Sequence, residues 1–276
     1  MSQLRERVRR EMVQAISEYQ LLEAGDKVLV AVSGGKDSAV LLSLLTEAQR
    51  KAPFPFTLTP VILDQKQPGF RVEEFRRWVR DQGHELVVLE QDTYSVVKAK
   101  TAPGKAYCGL CSRLRRGVLY AYAREHQFTK IALGHHRDDL NVTLLLNAFF
   151  SGTLAGMPAK LQADDGHNVV IRPLVYVAEK DLVALAQELE VPVIPCNLCG
   201  SQANLQRARM KRLLQDLEGE YPHIADSLLS AQKNVKGDFL LDPEHMGKRS
   251  LQIAARVDGT SDRPSVPLAS DLFGEL

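Results

Sequence analysis

The sequence predicts an α/β protein built on a mostly parallel sheet with helices on both faces. Three observations carry this. Short runs rich in valine and isoleucine alternate along the chain with helical stretches. A glycine-bearing loop stands directly after the first of those runs and opens a helix. Hydrophobic residues make up 45% and charged residues 25% of the 276-residue chain, enough apolar side chain for a sizeable core.

The elements follow in order. The opening MSQLRERVRREMVQ lacks the continuous apolar core of a signal peptide. Arg5, Arg7, Arg9 and Arg10 would suit an organelle presequence, but Glu6 and Glu11 interleave with them. Leu4, Val8, Met12 and Ile16 make a helical stripe, so a folded helix is expected within residues 1–25. Lys27 to Val32 reads as a buried strand, and a helix follows over roughly Asp37 to Glu47. A second strand is expected near Leu58 to Leu63, a helix from about Val72 to Gln82, and a strand over Glu85 to Leu89. Ser112 suits the N-cap of a helix reaching about His126. Lys130 to Leu133 reads as the next strand, followed by a helix through Asn147.

A hairpin is expected between Met157 and Leu174, its turn marked by Asp164-Asp165-Gly166. Helices over about Glu179 to Glu190 and Leu205 to Leu217 complete the regular part. Beyond about Gly237, Pro243, Pro264 and Pro267 fall among isolated Gly, Ser and Asp, which predicts an irregular tail over 236–276. No stretch approaches the roughly eighteen consecutive apolar residues of a membrane span, so a cytoplasmic protein without a membrane partner is expected. The net charge of +1 supplies no whole-protein field toward nucleic acid, so any RNA contact must come from local basic patches.

The sharpest local feature is Ser33-Gly34-Gly35-Lys36-Asp37-Ser38. Glycines let backbone amides approach phosphate oxygens, and the unsatisfied N–H groups of a helix start cradle an anion. Ser33 and Ser38 add hydroxyls and Lys36 a point charge, while Asp37 makes sense beside a magnesium ion. It is not a Walker loop, because Val30 occupies the position where that motif has its first glycine. Gly134-His135-His136-Arg137-Asp138-Asp139 follows the fourth strand. Asp138 and Asp139 suit a metal or substrate role, or equally the first-turn acids of a helix.

The cysteines form two C-x-x-C pairs, Cys108/Cys111 and Cys196/Cys199, with none left over. The 84 residues between the pairs exceed the roughly fifteen to twenty of a local zinc ribbon, so only the fold can bring them together. Structural zinc, a dithiol redox site and an iron–sulfur cluster all fit four such thiols. Arg113, Arg115 and Arg116 follow the first pair, and Arg207, Arg209, Lys211 and Arg212 the second. Such clusters suit RNA phosphates.

The loop Ser33 to Ser38 resembles the SGGxDS PP-loop of the ATP pyrophosphatase family. The resemblance implies a PP-loop, adenine nucleotide α-hydrolase-like and Rossmann-like fold over residues 26–235. It also implies cleavage of ATP between the α and β phosphates. In that comparison Leu63 and Asp64 edge the adenine pocket, and Gly134 begins the second ATP-site segment. The string from Cys108 to Gly117 resembles the CxxCSRLRRG signature of tRNA 2-thiocytidine synthetases, as do Gly134 to Asp139, Gly156 to Pro158, Ile171 to Leu174 and Pro195 to Arg207. That family implies ATP, Mg2+ and a [4Fe–4S] cluster as cofactors. By position the cluster's ligands are Cys108, Cys111 and Cys196, with Cys199 a bystander, a fourth ligand or a persulfide carrier. The partners implied are tRNA and a cysteine desulfurase as sulfur donor, and a homodimer is allowed. Lys36, Asp37, Arg115, Asp138 and Asp139 become the candidate catalytic residues for thiolating a tRNA loop cytidine at position 32. A uridine thiolase, a lysidine-type ligase and a non-catalytic zinc protein that binds RNA are the alternatives.

Overall fold

In the computed structural model, which describes residues 2–100, 108–194 and 203–241, the run KVLVA forms β1 (Lys27–Ala31). Its alternation sets the architecture. Val28 and Val30 enter one apolar cluster with Phe75, Leu41 and Leu182, while Leu29 enters another with Val61, Leu119 and Ile131. Both faces of the strand are therefore covered, as expected of a parallel sheet.

The sheet has six strands in the order β3-β2-β1-β4-β6-β5, with β2 at Thr57–Asp64, β3 at Val87–Glu90, β4 at Lys130–Ala132, β5 at Lys160–Gln162 and β6 at Val169–Ile171. All ladders are parallel except β5–β6, the predicted hairpin, which turns at Gly166 with φ +70°. Pro60 stands inside β2, between two strands, where proline would normally break a ladder. The Val61 carbonyl accepts from Val32 N–H on the β1 side, which turns the Pro60 nitrogen toward β3. Pairing with β3 begins only at Val61, so no ladder bond is lost.

Helix α1 (Gln3–Glu18) buries Val8, Met12 and Ala15 and is capped by Ser2, whose hydroxyl accepts from Arg5 N–H at 3.1 Å. Helix α2 (Lys36–Lys51) is apolar nearly all round, with Val40, Leu41, Leu42, Leu44 and Leu45 buried, because it lies between the sheet and α7 (Glu179–Glu188). Helix α3 (Glu73–Asp81) buries Phe75 and Trp78. On the other face α5 (Cys108–Glu125) packs Leu119 and Ala123 against β1, β2 and β4.

The structure differs from the sequence reading in places. Helix α5 begins at Cys108, so Ser112 lies within it and is not its cap. Two helices were not anticipated, α4 (Thr93–Lys100) and α9 (Ile224–Lys233). Helix α6 (Arg137–Leu146) runs into a wider π turn over Asn147–Ser151, and α8 spans Ala203–Glu220. The chain divides into two compact units, Met1–Leu229 and Ser230–Leu276. Of the second, the end of α9 and a 3-10 turn at Gly237–Phe239 are described, and residues 242–276 of the expected tail lie outside the described residues.

Candidate active site

A cleft of about 400 Å³ opens at the carboxyl ends of β1, β2 and β4, where open α/β sheets place their ligands. Its floor is the loop between β1 and α2. Gly34 takes φ +77°, and a Cβ there would meet the Ile194 side chain at 2.8 Å. The Gly34 carbonyl accepts from Ile194 N–H at 2.8 Å, so the loop is clamped from both sides. Ser38 Oγ accepts from Ser33 N–H and donates to the Gly35 carbonyl, both at 3.1 Å, which closes the loop on itself. Gly35 caps α2 without a side-chain bond, leaving the helix's first amides for an anion.

Lys36 Nζ sits 3.2 Å from Asp37 Oδ2 and 3.3 Å from Glu179 Oε1. Burial works against its charge, but those two carboxylates hold its pKa above the ordinary lysine value. Lys36 therefore stays cationic. Asp37 Oδ1 is buried without a hydrogen bond, although the Lys36 ammonium lies 3.1 Å away. Asp37 and Asp139 both line the cleft, and two carboxylates beside a phosphate loop are hard oxygen donors of the kind magnesium takes.

The opposite wall begins at Gly134, which approaches the loop so closely that a Cβ would lie 2.9 Å from Ser38 N and 3.0 Å from Asp37 C. His135 follows on the cleft wall, its Nδ1 buried without a partner. His136 caps α6, and Asp139 Oδ2 lies 3.4 Å from its N–H and 3.3 Å from its Nε2. Asp138 Oδ2 accepts from Glu179 N–H at 2.8 Å, so an α6 acid caps α7, whose own Ala178 offers no cap. Burial opposes ionisation of Asp138, yet His136, the Glu179 amide and Arg137 drive its pKa far below the usual carboxylate range. Asp138 thus takes the helix-cap role, whereas Asp139 reaches the cleft.

Burial lowers the His135 pKa from an ordinary 6.5 to about 4. Between those values the unfolded chain holds a proton that the folded chain lacks, so His135 makes stability rise with pH across that window. His136 works in the other sense, because Asp138 and Asp139 overcome its burial and raise its pKa. Its contribution is full below about 6.5 and fades as pH climbs through the folded value. From pH 6.5 to 5 the wild type is expected to lose about 1–2 kcal/mol that His135→Gln retains. Denaturant unfolding of both proteins at the two pH values checks this; parallel losses would place the titration elsewhere.

The structure gathers Ser33, Gly35, Asp37, Ser38, Leu63, Gly134, Asp139, Arg115 and Arg116 at one cleft. Leu63 and Gln65 line it, but Asp64, on the other side of the strand, binds Lys66 Nζ at 3.1 Å and lies off the lining. Of the two residues expected at the adenine edge, Leu63 lines the cleft and Asp64 does not. Arg116, expected on an RNA surface, lines the cleft beside Arg115, while Arg113 is exposed. The α8 basic residues divide. Arg207 Nη2 binds Asp139 Oδ1 at 2.5 Å and Lys211 Nζ binds Glu179 at 2.6 Å, whereas Arg209 and Arg212 are exposed.

Gln65 is the residue the sequence reading missed. It is 3% exposed, and its Oε1 accepts from Thr93 Oγ1 at 3.1 Å and from Cys111 Sγ at 3.2 Å. Cys111 is a buried free thiol, so a thiol stands one side chain away from the cleft. Cys196 and Cys199 lie outside the described residues, as does the side chain of Cys108.

Residues 4–215 match the PP-loop domain family. A tRNA-cytidine(32) 2-sulfurtransferase of Bdellovibrio bacteriovorus is 52% identical over 246 residues, covering 89% of this chain and 95% of the relative. A tRNA-cytidine(32) 2-sulfurtransferase of Marinobacter nauticus is 51% identical, covering 88% and 81%. Among solved structures, the U34-tRNA thiolase of Methanococcus maripaludis with its [4Fe–4S] cluster aligns at TM-score 0.66. That alignment has 21% identity and covers 85% of this chain and 80% of the other, a likeness of fold.

Proposed function

The chain belongs to the PP-loop domain family and, within it, to the tRNA-cytidine(32) 2-sulfurtransferases; from that premise we propose that it thiolates a tRNA loop cytidine in two steps at one cleft. The observation that carries the proposal is the Gln65 contact. Gln65 lines the nucleotide cleft and holds Cys111 Sγ at 3.2 Å, so activation and sulfur transfer share a wall.

In the first step the C2 oxygen of cytidine attacks the α-phosphorus of ATP, and pyrophosphate leaves. The amides at the start of α2 and the Lys36 ammonium meet the charge on the transferring phosphate. Asp37 and Asp139 would hold Mg2+, which supplies Lewis-acid neutralisation of the phosphates. Gly134 lets the end of β4 approach the backbone of Asp37 and Ser38 closely. In the second step a sulfur nucleophile adds at C2 and AMP departs with the original oxygen. Esterification is what makes that oxygen a leaving group. Arg115, on the cleft wall with its Nε buried and unpartnered, would receive the departing adenylate.

Cys111, a buried free thiol, suits a cluster ligand, with Cys108 and Cys196 completing the set. A [4Fe–4S] cluster held by these thiols would supply the sulfur-transfer chemistry of the second step. A cysteine desulfurase as donor and a cytoplasmic location fit this activity; no helix among the described residues is long and apolar enough to cross a membrane.

The test is direct. Anaerobic protein with ATP, a sulfide source and an unmodified tRNA transcript is expected to give 2-thiocytidine on nucleoside analysis, with AMP and pyrophosphate in equal amounts. Thiouridine as the product would move the target base. ATP turnover without any thionucleoside would remove the sulfur step.

A further inference from the structure

Ile171-Arg172-Pro173-Leu174 is a motif the activity above does not use. Arg172 follows the carboxyl end of β6, beside the β4 end that carries His135, since Leu133 N–H donates to the Ile171 carbonyl at 3.0 Å. Only 8% of the residue is exposed. Its Nη1 donates to the Pro158 carbonyl at 2.6 Å, and its buried Nε has no partner. No carboxylate among the described residues pairs with it.

That arrangement is costly in a finished protein. A guanidinium cannot shed its proton, and a buried charge without a counterion is destabilising unless something supplies one. Arg116, on the cleft wall, adds a like charge that acts on Arg172. Both guanidiniums also act on the Tyr120 hydroxyl of α5. The acids that reach Tyr120 are Asp164 and Asp165, and Asp165 is engaged by Asn168 and by the N–H of His167.

We propose that Arg172, with Arg116 of the cleft wall, forms a second phosphate subsite, distinct from the Ser33–Ser38 loop itself, that takes a backbone phosphodiester of the tRNA loop beside the target cytidine. The inference rests on tRNA being the substrate. A phosphate is the ligand that a buried guanidinium without a carboxylate partner fits, since its forked donors match phosphate oxygens. Phosphate contacts position a nucleic acid without reading its sequence, which is what a site must do that presents one base to a nucleotide cleft. Burial lowers the Arg172 pKa, in line with a charge awaiting an external partner. The other source of the same chemistry is ATP itself, and the experiment separates the two.

Arg172→Met keeps an unbranched chain of similar length and removes the charge. Its tRNA affinity, read by filter binding without nucleotide, is expected to fall about 10- to 100-fold. The slope of log affinity against log salt is expected to shrink by about 0.7, one single-strand phosphate contact. ATP affinity is expected to hold, and the melting temperature to hold or rise, because a strained charge has been taken away. Arg172→Lys, which keeps the charge, is expected to retain the wild-type salt slope. Unchanged tRNA affinity in Arg172→Met overturns the subsite. Weakened ATP binding with intact tRNA binding assigns the anion to the nucleotide and overturns it too. A melting temperature lowered in both variants makes Arg172 a structural residue. A wild-type protein that binds no tRNA removes the functional reading itself, a result that the variant comparison cannot imitate.

Discussion

Gly134→Ala is expected to lower ATP-dependent turnover by at least about 100-fold while the protein still folds. The added Cβ would lie 2.9 Å from Ser38 N and 3.0 Å from Asp37 C and Ser38 Cα. All three are backbone atoms at the start of α2, so no side chain can rotate out of the way. Either the PP-loop or the β4 end must move, and both carry the site. Displacements near 1 Å at a reacting centre cost on the order of 100-fold in rate. A control tells geometry from mere loss of a glycine. At Gly219, in α8, a Cβ would meet nothing within 4 Å, and alanine in a helix is favoured over glycine by about 1 kcal/mol. Gly219→Ala is therefore expected to leave turnover unchanged and stability level or higher. The measurement is release of AMP and pyrophosphate, with ATP affinity by calorimetry. Near-normal turnover in Gly134→Ala would mean that the two backbone walls do not need their close approach.

Much of this site was legible because its parts are local in sequence. The loop Ser33 to Ser38, the strand before it and the helix after it fall within one stretch, and each residue type there answers to a backbone or phosphate requirement. The β5–β6 hairpin was legible for the same reason, since Gly166 supplies the positive φ its turn needs. What escaped was pairwise and distant. Arg207 and Lys211 look like a basic RNA face, and only the fold reveals Asp139 and Glu179 opposite them. Asp64 ends β2 and Gln65 follows it by a single step, and that step decides which of them faces the cleft. Helices α4 and α9 each bury just two side chains, Thr93 and Val97 in one, Ala225 and Leu229 in the other. An apolar stripe that narrow does not stand out against a loop, because such helices owe their stability to packing more than to propensity.

The thiol gives the second large effect. If Cys111 holds the proposed cluster, Cys111→Ser is expected to reduce 2-thiocytidine formation by at least about 1,000-fold while ATP affinity stays within about threefold, because only the sulfur step would be lost. The substitution is chosen for its size. In the metal-free protein a serine hydroxyl can donate to Gln65 Oε1 as the protonated thiol does at 3.2 Å, so Gln65, Thr93 and the adjoining cleft wall keep their arrangement. Chemistry changes while shape does not, because a hydroxyl is a poor ligand for the iron that a thiolate binds. Anaerobically purified wild type is expected to carry iron and sulfide and to absorb broadly near ~400 nm, a thiolate-to-iron transition. Cys111→Ser is expected to lose that band together with thiolation. A wild type that is colourless and holds one zinc would retain the ATP site but discard the cluster. A Cys111→Ser protein that keeps both iron and thiolation would show that this thiol, though buried beside the nucleotide cleft, does not hold the metal. The contact through Gln65 would then be packing, and the wall shared by the two steps would have to be sought at Cys108 and Cys196.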